Sequence, residues 1–105
     1  MDMSDENTKA SYLDWSNAFK QECSSVYVSN GDAALAASDY DRAINLYSAA
    51  IDLNSESDTA FSSRSKAKLE KMLWEDALLD AQKAIKLNPV SHVGYAVKHA
   101  ALHGA

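Results

Sequence analysis

Glycine and proline are scarce in these 105 residues, with three of one and one of the other. An all-β fold, which turns on such residues every few positions, is excluded. Cysteine occurs once, as Cys23, so no internal disulfide can form, and a lone thiol suits a reducing compartment. Its flanks, KQECSSV, hold no histidine that would activate it, and it reads as a bystander. No apolar run approaches the ~20 residues needed to cross a bilayer. The opening MDMSDENTKA is acidic where a secretory signal is basic and then apolar. The expectation is a chain of the cytoplasm or nucleus. An excess of basic charge is also missing: ten Lys and Arg stand against fifteen Asp and Glu, for a net charge of −5. With its cations scattered among carboxylates, the chain has no basic stripe for nucleic acid or an anionic membrane. There is no Gly-rich phosphate loop, no G-x-S-x-G elbow and no paired catalytic carboxylates, so neither catalysis nor a cofactor is expected.

What is present is a repetition. DYDRAINLYSAAIDLN, from Asp39, returns as LWEDALLDAQKAIKLN, from Leu73. Tyr40 matches Trp74, Ala43 matches Ala77, Ile51 matches Ile85 and Asn54 matches Asn88, always 34 residues apart. Within each copy the apolar residues recur at helical spacing: Ala43, Ile44, Leu46, Tyr47, Ala50, Ile51 and Leu53, then Ala77, Leu78, Ala81, Ala84, Ile85 and Leu87. An aromatic marks a preceding helix at the same interval, as Tyr27, Phe61 and Tyr95. Small residues at Gly31, Ser65, Ala43 and Ala77 allow helices to cross closely. Ser57 and Ser91 are placed to cap first helices, and Pro89 to follow the end of a second one. The spacing therefore predicts an all-α stack of antiparallel helical hairpins in a right-handed solenoid, with repeat one at 24–57, repeat two at 58–91 and a half repeat at 92–105. Upstream, Tyr12, Trp15, Ala18 and Phe19 form a stripe that predicts a further helix over 11–22, with Trp15 as its anchor and no Gly or Pro to separate it from repeat one. Residues 1–10 read as a mobile acidic tail.

The period, the aromatics, the small residues and the terminal Pro match the tetratricopeptide pattern. Beyond it, AFSSRSKAK is similar to YSNRSAAY, and GYAVKHAAL to GYSRKAAAL, in the tetratricopeptide domains of Hsp70 and Hsp90 co-chaperones of the Hsp-organising and small glutamine-rich types. The resemblance covers about Ser24 to Leu102. It implies a concave groove that grips the acidic Glu-Glu-Val-Asp terminus of a chaperone through a clamp of Lys and Asn four apart, a second Asn, then Lys and Arg four apart. Those positions hold Val28, Asp32, Ser63, Val93 and Val97 here, and none matches. Hydrogen bonds to charged groups contribute roughly 1.5–3 kcal/mol each, and micromolar affinity is about 8 kcal/mol in all. Losing the clamp removes most of that, and Asp32 adds repulsion. A substitute cradle would have to come from Arg64, Lys66 and Lys98.

By repeat position the groove carries Val28, Ser29, Asp32, Ser62, Ser63, Lys66, Glu70, Val93, Val97 and Ala100, a surface suited to an apolar or mixed peptide. Val93 and Val97, as i,i+4 neighbours, either form an exposed contact patch or pack within the stack. His92, His99 and His103 share a helical stripe, but shared spacing alone does not make a metal site, and none is expected. Two functions follow from these residues. One is an interaction module that binds a peptide or protein segment in its groove. The other is an assembly element that docks, on a second copy or another domain, through the open half repeat at Tyr95 and Leu102 and a facing surface drawn from Leu79, Ala81 and Ile85.

Overall fold

The computed structural model describes the backbone of residues 2–90 and 92–104, and the side chains from residue 18 onward within that range. Among the described residues five helices follow one another: α1 (Asp2–Ala36), α2 (Tyr40–Leu53), α3 (Asp58–Glu70), α4 (Trp74–Leu87) and α5 (His92–Gly104). α2 and α4 coincide with the two copies of the repeated segment, and α3 and α5 fall around Phe61 and Tyr95. The first helix corrects a boundary. Residues assigned to a tail, a separate helix and the start of repeat one form one continuous helix, because nothing between residues 2 and 36 breaks it but a single Gly31. The Tyr12 and Trp15 side chains and the Ser91 cap lie outside the described residues.

The helix ends obey local chemistry. Asp39 caps α2 by accepting from the Arg42 N–H, and Ser57 caps α3 by accepting from the Ala60 N–H. Leu73 cannot cap α4, but Glu75 and Asp76 lie in its first turn, where the helix dipole favours negative charge. Asn54 and Asn88, 34 apart, close α2 and α4 with their N–H groups on the carbonyls of Ala50 and Ala84.

Inside each hairpin the turn is the same. Ser38 donates to Leu35 and Asp39 to Ala34; Met72 donates to Leu69 and Leu73 to Lys68. This is the Schellman arrangement, which needs a left-handed residue at its hinge. Ser38 and Met72 supply it, at φ 62° and 63°. A side chain held there costs about 1–2 kcal/mol, and the Met72 side chain is 72% exposed, so it gains little in return. Met72→Gly is therefore expected to stabilise the fold by about 0.5–1 kcal/mol after glycine's greater unfolded entropy, seen as a melting temperature several degrees higher. An unchanged or lower melting temperature would contradict this account of the turn.

α1 pairs with α2, and α3 with α4, while α5 lies against α4 and α3. α3 touches α1 on one side and α5 on the other, whereas α2 and α4 do not meet. The first helices are thus the inner layer, and their shared face is the concave one. Small residues make these crossings: Ala43, Ala50, Ala60, Ala67, Ala77, Ala81 and Ala84 are fully buried. Ala34, Ala43, Tyr47 and Ala67 form the centre of the core, with Val28, Leu35, Ile44 and Leu46 against it.

Candidate functional site: the concave face

The groove wall on α1 is held in place from behind. Tyr47, on α2, is completely buried, and its hydroxyl donates to Asp32 Oδ1 at 2.5 Å. Burial first, and then the Asp32 carboxylate, push the Tyr47 phenol well above its ordinary range, while the Ser63 hydroxyl acts in the opposite direction. Gly31 makes room for the ring. A Cβ there would sit 2.6 Å from Tyr47 Cε1. Two turns before Gly31 on α1, the buried Ser24 hydroxyl donates to the Ala50 carbonyl at 2.9 Å and ties α1 to α2 again.

α3 is fixed by charge. Asp80, on α4, is 5% exposed and accepts twice from Arg64, at 2.8 Å from Nε and 2.7 Å from Nη2. Lys68 Nζ stands 2.8 Å from the same carboxylate. Arg64 also donates from Nη1 to the Ser48 hydroxyl on α2 at 3.1 Å and stacks over Phe61. Ser65 donates to the Ala77 carbonyl at 2.6 Å. These ties use up Arg64, so it cannot belong to a basic cradle in the groove. Of the three proposed cations, Lys66 and Lys98 remain, neither in an ion pair among the described residues.

Between α3 and α5 this frame leaves a cleft of about 180 Å³, lined by Asp58, Thr59, Ser62, Ser63, Lys66 and Val93. A second, of about 260 Å³, lies between Leu35 and Tyr40 on one side and Lys66, Leu69 and Glu70 on the other. Lys66 borders both. Five of the ten residues assigned to the groove by repeat position (Ser62, Ser63, Lys66, Glu70 and Val93) line these clefts. Ser29, Asp32 and Ala100 are exposed on their helices.

Val97 is a correction. It is 3% exposed and shares its stripe with buried Gly94 and Ala101, the face of α5 that meets α4 through Ile85. A long cationic side chain at that position can reach out of the seam, but a valine cannot. Val28 likewise leans into the core cluster. The hydroxyl of Ser62 donates to the Asp58 carbonyl at 2.8 Å and is not free for a ligand. Of the surface assigned to the open half repeat, Leu79, Tyr95 and Leu102 are exposed, whereas Ala81 is fully buried and Ile85 half-buried. The His99 and His103 rings meet at a 59° tilt with centres 4.2 Å apart, and no cluster of three metal-ligating side chains occurs among the described residues. Sequence reasoning missed Asp80. The signal was there: it lies three residues after Ala77 and four before Ala84, a carboxylate on the buried stripe of α4.

No protein-family profile matches the sequence. The chain is 37% identical over 70 residues to heat shock protein STI1 of Saccharomyces cerevisiae, covering 66% of this chain and 12% of that protein. It is 38% identical over 69 residues to the STIP1 homolog of Dictyostelium discoideum, again 66% of this chain and 12% of the relative. In Schizosaccharomyces pombe the sti1 homolog is 38% identical over 74 residues, 70% of this chain and 12% of the relative. The chain thus spans a small part of the curated relatives' length. Among solved structures, the Arabidopsis OM64 TPR domain matches with a TM-score of 0.79 at 28% identity, over 80% of this chain and 69% of that one. With the 34-residue period, the paired helices and these likenesses in hand, the chain is a tetratricopeptide repeat domain, similar in sequence to part of the STI1 proteins.

Proposed function

We propose that this chain is a non-enzymatic protein–protein interaction module that holds an extended segment of a partner against the inner faces of α1, α3 and α5. The observation that supports it most directly is the pair of clefts joined at Lys66. An acidic chaperone terminus is not the expected occupant. Asp32 and Val93 stand where that ligand needs an amide and a cation, and the Val97 side chain is buried. A labelled Met-Glu-Glu-Val-Asp peptide titrated with the protein should show no saturation into the high micromolar range at low or moderate salt. Tight, salt-sensitive binding would mean that Lys66 and Lys98 rebuild the clamp.

A second reading rests on Tyr95 and Leu102, which are 51% and 56% exposed on α5 one seven-residue step apart. It makes this face a docking surface for a second copy or another domain. Sedimentation separates the two readings. A mass that rises with concentration and falls back in a Tyr95→Ser, Leu102→Ser variant supports docking through α5. A concentration-independent monomer supports the groove.

A further inference from the structure

The groove changes chemistry along the stack, at equivalent positions 34 residues apart. Asp32, Lys66 and Ala100 occupy one such row, and Ser25, Thr59 and Val93 another. Each row runs from polar on α1 to apolar on α5. The charges that line the clefts are Asp58, Lys66 and Glu70, all on α3, and Asp32 stands exposed on α1, so carboxylates outnumber cations among them. Within these rows α5 contributes none.

Asp32 is also a fixed charge. Tyr47, immobile in the core, holds Oδ1, which leaves Oδ2 of an exposed residue for a ligand. At the other end Val93, 42% exposed at the edge of the smaller cleft, and Ala100, two turns further along α5, offer two separate apolar contacts. Lys66, between them, has no ion pair among the described residues and can meet a backbone carbonyl.

On the reading that this groove holds a peptide, we infer that its ligand is an extended segment with a Lys or Arg side chain at Asp32 and an apolar side chain on α5, at Val93 or at Ala100. Charge complementarity sets the direction: Asp32 takes the cation, and Val93 and Ala100, on the helix whose one lysine is Lys98, take the apolar group while that lysine repels a second cation. Neighbouring helix axes stand roughly 8–10 Å apart, and an extended chain advances ~3.3 Å per residue. The two anchors are therefore about five to seven residues apart, the longer spacing belonging to Val93, two turns along α5 from Ala100. The preference is opposite in sign to that of an acidic-terminus clamp.

Panning phage-displayed random peptides long enough to span both anchors on the whole chain tests this, with Asp32→Asn and Lys66→Glu panned in parallel. Asp32→Asn keeps an acceptor for Tyr47 while removing the charge, and Lys66→Glu disturbs no ion pair of the fold. The expected pool carries Lys or Arg about five to seven residues from Val, Leu or Ile. Asp32→Asn should weaken the selected peptides about five-fold, the effect of one exposed charge pair, and Lys66→Glu should tighten them by a similar factor. Acidic enrichment, or affinity for a basic peptide that ignores both variants, overturns the assignment. Selected peptides without a basic preference that still shift the amides of Thr59, Ser63, Lys66 and Val93 overturn it too, while leaving the groove reading intact. A pool that shifts none of those amides overturns both.

Discussion

Asp80→Ala is expected to cost about 3–5 kcal/mol, because it leaves two cations facing one another with no carboxylate between them. Arg64 and Lys68 are mostly shielded, with side-chain exposures of 18% and 15%, and both rely on Asp80 for their charge. A domain of this size has only about 5–15 kcal/mol to lose, so the variant should unfold far earlier in urea. The loss measures a broken set rather than the worth of an intact one. A buried ion pair replaced by well-packed apolar groups is often neutral or better. Combining Asp80→Leu with Arg64→Met and Lys68→Met should therefore recover most of the stability. If Asp80→Ala costs under about 1 kcal/mol, the cations escape to solvent and the network is not what holds α3 to α4.

Tyr47→Ala should cost a similar amount, about 3–5 kcal/mol, by emptying the centre of the core. The more exacting prediction concerns its neighbour. Gly31→Ala gains about 1 kcal/mol of helix propensity but drives a methyl group into a ring that has nowhere to move. Overpacking of this kind costs about 1–3 kcal/mol or more, so the single variant should be net destabilising. With Tyr47→Ala in place the same methyl finds empty space, and Gly31→Ala should become stabilising. A double-mutant cycle that shows no change of sign would mean the ring is not confined as described. Tyr47 also carries a pH signature. Its folded pKa lies above the unfolded value near 10, so its contribution is complete below that pH and is lost as the solution becomes more alkaline. Tyr47→Phe should flatten that alkaline loss.

The hairpins were legible because their signal is periodic. An interval of 34 residues carried by aromatic, small and apolar positions located α2 and α4 to within a residue, and Ser57 announced the start of α3. Charges follow no such rule. Arg64 and Asp80 are 16 residues apart on different helices, and only the stack brings them together. Repeat position located Ser63, Lys66 and Val93 beside a cleft, since those side chains point where their backbone does. It failed at Val97, where the rotation that faces the groove also faces α4 and side-chain length decides which of the two is reached. The long α1 was half legible. An absence of breakers allowed it, but no periodic mark distinguished one helix from two.

Among the described residues, helices touch only their neighbours in sequence or the next but one. The chain therefore never has to bring distant segments together before native contacts begin to accumulate, and the entropy of closing each loop stays small. Refolding from urea should be complete within milliseconds or faster, as for other folds dominated by local contacts. Either hairpin is a place where folding can begin.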